Sequence, residues 1–253
     1  MRDEPRLLEL YRRMVTVRRH DEKAGEHYRG EEAVAVGAIL ALQENDYLVS
    51  TYHHGGHRIA RSMAPGAARR FIAAKGAEGL PLATGVAISI AYNEASDVVA
   101  CLFGDEALSS GAFHESLNLA SMQKLPVIFV CENNFFGMGT FVQNAVAQEH
   151  LYRIAGPYDM PVTRVDGMEV LEVYRAVVDG AGRARDGDGP SLIDAVTYRS
   201  REHSMPGSLK YCSPSDERIW RERDPITTFR KSLLTESAIA QSILDEIDSA
   251  AGG

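Results

Sequence analysis

Apolar positions follow two rhythms along this chain. Short unbroken runs, Val98 to Phe103 and Val127 to Cys131, mark strands buried on both faces. Elsewhere apolar residues return every three or four positions, the mark of a helix packed on one side. Leu7, Leu10, Met14 and Val17 form such a stripe and predict a helix over residues 5–28. Residues 31–43 are apolar nearly all round and predict a buried helix. Tyr47 to Tyr52 reads as a short strand that leads into His53-His54-Gly55-Gly56-His57. Residues 66–75 and 81–95 read as helices, the second carrying Leu82, Val86, Ile88 and Ile90 among small residues. Further on, 145–155 reads as helix, Pro161 to Val165 as strand, 169–184 as amphipathic helix and Leu192 to Tyr198 as strand. Ser213-Pro214-Ser215-Asp216 has the chemistry of a helix start, and Thr235-Glu236 opens a last helix. Strands alternating with helices predict an α/β fold with a doubly wound parallel sheet, followed by a helical C-terminal tail.

Composition narrows the class. Hydrophobic content of 45% and charged content of 25% are those of an ordinary globular protein. A net charge of −8, with no Lys/Arg block, argues against nucleic-acid binding. No apolar run approaches the ~20 residues needed to cross a bilayer, and MRDEPRLLELYRRM lacks the apolar centre of a signal peptide. Cys101, Cys131 and Cys212 show no metal spacing, and the first two fall inside expected strands as small apolar filler. Cytoplasm is the default location.

The chemistry concentrates between Phe103 and Thr140. Each apolar run ends on oxygen-bearing side chains, Gly104-Asp105 after the first and Glu132-Asn133-Asn134 after the second. Two strands joined by a helix make a parallel unit, and open parallel sheets take ligands at the carboxyl ends of their strands. Carboxylate, amide oxygen and backbone carbonyl are hard ligands suited to Mg²⁺, an ion that usually accompanies a phosphate. Gly111, at the start of the connecting helix, allows close approach of an anion. No G-x-G-x-x-G sits at a strand–helix turn, which argues against a dinucleotide-binding dehydrogenase.

The segment FGDEALSSGAFHESLNLASMQKLPVIFVCENNFFGMGT resembles the thiamine-diphosphate motif of the alpha subunits of 2-oxoacid dehydrogenases and acetoin dehydrogenase. That motif runs Gly-Asp-Gly, a helix, then Asn-Asn, and the separation of Asp105 from Asn134 fits it. The words LYRRMVTVRRHDEK, GEEAVAVG, STYHHGGHRIAR, PLATGVAISIAYN, TYRSREHSM and RDPI extend the resemblance over nearly the whole chain. It implies a thiamine-diphosphate-binding domain over 1–200, with a cofactor-covering loop and C-terminal helices of the same domain over 201–253. It implies Mg²⁺ held by Asp105, Asn134 and a carbonyl at Phe136. It places Gly104, Asp105, Glu106, Ala107 and Asn134 beside the cofactor, with Tyr52 and His53 at the diphosphate and His203 on the covering loop as the catalytic residue. Ser204 matches a serine phosphorylated in some relatives.

The chain departs from the pattern in several places. Glu106 stands where the family has the second Gly, His53 where it has Arg, and Gly55 where it has His. Glu106 then turns to solvent, pairs with Arg58 or Arg61, or weakens cofactor binding. His53, His54 and His57 without an added acid or Cys make a poor zinc site, and a solvated loop is the plain alternative for that stretch. Two deletions, between Arg29 and Gly30 and around Ala74 to Gly79, mark a shortened relative. The resemblance implies an enzyme active only with a beta subunit, as an α2β2 heterotetramer, which decarboxylates a 2-oxo acid such as pyruvate, or cleaves acetoin. The acyl or two-carbon unit passes to a lipoyl acyltransferase or a small molecule. Two alternatives stand beside this: a split transketolase-like N-terminal half, to whose Gly-Asp-Gly-Glu-Leu the Glu106-Ala107-Leu108 word is similar, and a non-catalytic subunit that stabilises a beta partner.

Overall fold

The computed structural model describes residues 3–24, 28–51, 54–62, 70–134, 136–137, 140–141, 146–148, 150–198, 220, 222–237 and 239–251. In chain order the strands are β1 (Tyr47–Ser50), β2 (Phe71–Ala73), β3 (Val99–Gly104), β4 (Val127–Asn133), β5 (Phe136–Gly137), β6 (Thr140–Phe141), β7 (Val162–Asp166) and β8 (Ser191–Val196). The helices are α1 (Glu4–Ala24), α2 (Glu32–Ala41), α3 (His54–Ser62), α4 (Gly79–Tyr92), α5 (Gly111–Met122), α6 (Leu151–Ala155), α7 (Val170–Arg185), α8 (Pro225–Thr235) and α9 (Gln241–Ala250).

Six strands form one sheet in the order β2-β1-β3-β4-β8-β7, every pair parallel. The chain leaves β1 toward one edge, then returns through β3 and builds toward the other. The order therefore reverses between β1 and β3, and a doubly wound sheet opens its ligand crevice at such a point. Period-two alternation sends Leu48, Ala100, Leu102, Ile128, Val130 and Ile193 to one face, where they meet α1, α2, α7, α8 and α9. Val49, Val99, Cys101, Phe103, Phe129 and Cys131 point the other way, into α4, α5 and α6. Phe229 and Leu233 of α8 and Leu244 and Ile247 of α9 lie in the first of these cores, packed with sheet residues.

Buried ion pairs fix the helices of the first face. Arg18 on α1 holds both oxygens of Glu32 at the start of α2, with Nη2 to Oε2 at 2.8 Å, and also reaches Asp224 at 2.9 Å. Asp224 in turn caps α8, accepting from the N–H groups of Ile226 and Thr227, with Pro225 in the first turn.

Four sequence expectations need correction, one being the helix over 145–155, of which only Leu151–Ala155 is helical while residues 146–148 and 150 are not. Residues 71–73, expected within a helix over 66–75, form the edge strand β2, because Phe71-Ile72-Ala73 pairs with the open side of β1 and Ala74 N–H donates to Ser50 O. Alanine-rich composition favoured helix, and an unpaired strand edge outweighed it. Thr235-Glu236 ends α8 instead of opening a helix, and the last helix begins at Gln241. Helix α3 occupies the stretch for which a solvated loop was the alternative, and His57 within it is fully buried. The helix start at Ser213 lies outside the described residues.

Candidate functional site

Strands β1, β3 and β4 end side by side. Gly104 pairs with Glu132, so Asp105 and Asn134 leave adjacent strands at the same edge of the sheet. Asp105 opens a 3-10 turn, Asp105–Ser109, and its carboxylate is 2% exposed. Ala107 in that turn is buried as well. Asn134 follows β4, and its amide nitrogen donates to Glu31 Oε1 at 2.9 Å. A carboxylate only accepts, so this contact turns the amide oxygen to the opposite side. Phe136 begins β5, which packs on the Asp105–Ser109 turn. The 3-10 turn Gly76–Glu78 packs on that same turn.

Arg58 and Arg61 are the arginines expected as partners for Glu106. Arg61 is buried and gives Nη2 to the carbonyl oxygen of Asp46 at 2.6 Å. The Glu106 carboxylate folds back over Gly104, where an added Cβ would lie 2.1 Å from its Oε2. Only glycine leaves room for it.

The edge is electronegative. Burial pushes the Cys131 thiol well above its ordinary range, and the neighbouring Asp105, Asp194, Glu106 and Glu132 carboxylates push in the same direction. Burial also raises Asp194, against the opposing hydrogen bond from Asn133 and the charge of Arg164. An edge so charged favours a divalent cation and repels a bare anion. The donor set of one buried carboxylate, one oriented amide oxygen and backbone carbonyls suits Mg²⁺ with a bound diphosphate. Among the described residues no group of three His, Cys, Asp or Glu could hold a metal by itself, and the His53, His54 and His57 zinc reading gains nothing, since His57 turns into the core.

Beside this edge lies a buried network that the sequence reading did not assemble. Tyr28 Oη donates to Glu132 Oε1 at 2.6 Å, and His57 Nε2 lies 3.0 Å from both atoms. Ser50 Oγ is 2.7 Å from His57 Nδ1. Facing a carboxylate, Nε2 is the donor, and in that tautomer Nδ1 accepts the hydrogen bond of the Ser50 hydroxyl. Tyr28, Ser50, His57 and Glu132 are all at most 4% exposed. The Tyr28 ring presses so closely on α3 that a Cβ at Gly56 would stand 2.5 Å from it. The signal in the sequence was Glu132, an acid at the end of an otherwise apolar strand. What could not be read was that a turn more than a hundred residues earlier supplies its partner. Tyr52, His53, His203 and Ser204 lie outside the described residues.

Fold and edge together define a parallel α/β protein that gathers acid and amide side chains at the ends of adjacent strands. Residues 67–252 match the model of the family described as dehydrogenase E1 component. The chain is 35% identical to the alpha subunit of acetoin:2,6-dichlorophenolindophenol oxidoreductase of Bacillus subtilis, over 98% of this chain and 88% of that protein. It is 33% identical to the alpha subunit of the pyruvate dehydrogenase E1 component of Rhizobium meliloti, over 95% and 81%. Against the somatic mitochondrial form of that subunit from Rattus norvegicus the identity is 33%, over 95% and 71%. The first alignment runs over 294 positions against a chain of 253 residues, as a shortened relative requires. The chain belongs to the dehydrogenase E1 component family, and within it to the alpha subunits of the thiamine-diphosphate-dependent enzymes.

Proposed function

We propose that this chain binds Mg²⁺ and the diphosphate of thiamine diphosphate through Asp105, Asn134 and the Phe136 carbonyl, and works with a beta subunit as an α2β2 enzyme on a 2-oxo acid or acetoin. The observation that carries the reading is the pairing of a buried Asp105 with an Asn134 whose amide is already turned, on adjacent strand ends. When bound, thiamine diphosphate supplies a carbanion equivalent that attacks a carbonyl and accepts the electrons released on C–C cleavage. The chain's own part is to hold that group. Asp105 and Asn134 would clamp the cation, and the N–H groups of the Gly104–Ala107 turn would face the phosphates. Tyr52, His53 and His203 would complete the diphosphate contacts, His203 from the covering loop. Residues 1–200 would form the cofactor-binding part and 201–253 the covering loop and helices.

The beta partner is supported by α4, which carries no charged residue along Gly79–Tyr92 and exposes Leu82, Ile88 and Tyr92, with Met122 of α5 nearby. Such a surface suits a subunit contact. It would also supply a wall beside the shortened Gly76–Glu78 turn. The acyl unit would pass to a lipoyl acyltransferase or a small acceptor. Among the described residues no helix is long and apolar enough to cross a membrane, and the cytoplasm suits a partnered enzyme of this kind.

The test is the thiamine-diphosphate content of the tagged chain purified from its host with its partner. One cofactor per alpha–beta pair, lost with Asp105→Ala, together with turnover of pyruvate or acetoin, is the expected result. A stable complex without cofactor at saturating Mg²⁺ and thiamine diphosphate would overturn the catalytic reading and leave a structural subunit. Turnover of sugar phosphates instead would point to the transketolase-like alternative.

A further inference from the structure

The end of β4 is stitched to the turn between α1 and α2 at two places. We propose that one of them, Glu31, is a positioning residue for the metal: it fixes the amide of Asn134 with its oxygen toward the cation. The inference rests on the metal reading above.

Three observations carry it. First, Glu31 is 0% exposed and its carboxylate receives the Asn134 amide nitrogen across 103 positions of sequence. An asparagine amide can sit in two orientations of nearly equal shape, and only one presents oxygen to a metal. A carboxylate partner permits one of them. Second, the turn that bears Glu31 is itself immobilised. Tyr28 N–H donates to Asp21 at 2.9 Å, Gly30 N–H donates to Glu32 at 2.9 Å, and Tyr28 Oη donates to Glu132 at 2.6 Å. Third, Glu132 lies in β4 two residues before Asn134, which directly follows that strand, so only Asn133 separates the anchor from the positioned amide. Glu31 therefore has a fixed reference against β4, and its own position cannot drift while Asn134 holds still. Groups that orient a ligand in this way raise affinity without touching the ion.

The experiment uses the chain co-purified with its partner, with Mn²⁺ as the probe and thiamine diphosphate present. Free Mn²⁺ is followed by electron paramagnetic resonance, and the Mg²⁺ concentration for half-maximal turnover is measured alongside. Glu31→Met and Glu31→Ala remove the acceptor, while Glu31→Gln keeps an acceptor oxygen and removes the charge. Both truncations should weaken Mn²⁺ about tenfold and raise the half-maximal Mg²⁺ similarly, with turnover at saturating Mg²⁺ retained. Glu31→Gln should stay close to the parental affinity. Parental affinity in a folded truncation would overturn the proposal, and so would a Glu31→Gln variant as weak as Glu31→Met, which would mean that charge and not orientation acts. If Glu31→Met fails to assemble, Glu31→Ala carries the same comparison. Should the parental complex bind no Mn²⁺, or Asp105→Ala bind it unchanged, the metal reading itself fails, a result separate from failure of the Glu31 variants alone.

Discussion

Replacing Tyr28 by Phe isolates one hydrogen bond in the buried network. The ring stays, packed against Gly56, so no cavity opens and the change is the hydroxyl alone. That hydroxyl donates to Glu132 at 2.6 Å, with Tyr28 1% and Glu132 4% exposed. Burial first, then the charge of Glu132, holds the phenol well above its ordinary range, so it is a donor at neutral pH. A hydrogen bond to a charged partner contributes about 1.5–3 kcal/mol, and a buried carboxylate that loses one donor moves the cost toward the upper part of that range. His57 Nε2, at 3.0 Å from the same oxygen, remains and limits the loss. For a chain of this size 1 kcal/mol corresponds to about 2–4 °C in Tm, so Tyr28→Phe should lower Tm by roughly 4–8 °C. The internal control is Tyr11→Phe. Tyr11 donates to Asp248 at 2.8 Å, but that aspartate is 36% exposed, and water replaces the lost donor. Its cost should be under about 1 kcal/mol. Thermal unfolding followed by circular dichroism compares the two. A Tyr28→Phe shift no larger than that of Tyr11→Phe would refute the charge-assisted contact.

Other consequences follow from the edge and its surroundings. Glu106→Gly removes the carboxylate that lies over Gly104. Since like charges at 4 Å cost about 1 kcal/mol in water and more when partly buried, thiamine diphosphate with Mg²⁺ should bind about fivefold tighter or better by calorimetry, and unchanged affinity would show that Glu106 points away when the site fills. Cys101 and Cys131 are buried with their thiols pushed up, so iodoacetamide at pH 8 should leave both unlabelled in the native protein and label both after unfolding, read by mass spectrometry. Burial alone would raise Asp224, but Arg18 and the Thr227 N–H overcome it and hold the carboxyl below its ordinary range. A depressed folded value gives stability that is present above the unfolded pKa of about 4 and lost as pH falls through the folded one. Urea midpoints measured between pH 6 and pH 2 should therefore fall less steeply for Asp224→Asn, which starts lower and has no such charge to lose.

How much of this was legible in the sequence depends on the range over which each feature is encoded. Strands β3 and β4 were plain, because five or six apolar residues in a row have few other uses, and Asp105 and Asn134 follow them directly. The doubly wound sheet followed from the alternation of elements. Strand β2 was missed because three residues carry no period, and only the unpaired edge of β1 makes them a strand. Tyr28, His57 and Glu31 were missed as a set for a related reason. Each is ordinary in its local sequence, and only the crossing of the chain brings them to the end of β4. The Glu106 rotamer is a third case. Sequence showed the conflict between a carboxylate and a diphosphate, but not that Gly104 gives that carboxylate a place to fold.

The gathering of acids at one edge sets an order on binding. Asp105, Asp194, Glu106 and Glu132 all act on Cys131 in the same direction, and Glu31 stands behind Asn134. A diphosphate approaching this edge alone would meet several negative charges, in surroundings less screening than bulk water. A divalent cation reverses the sign of that field before the anion arrives, or enters with it. The affinity for thiamine diphosphate should therefore depend on Mg²⁺ far more steeply than monovalent screening could explain. Titrating the cofactor into the partnered chain with EDTA and raised KCl, then with Mg²⁺ at matched ionic strength, separates the two effects. Binding that recovers with KCl alone would mean that the acids act only through general repulsion. Binding that survives EDTA without added salt would mean that they face away from the phosphates, and the cation would lose its place in the reading of Asp105 and Asn134.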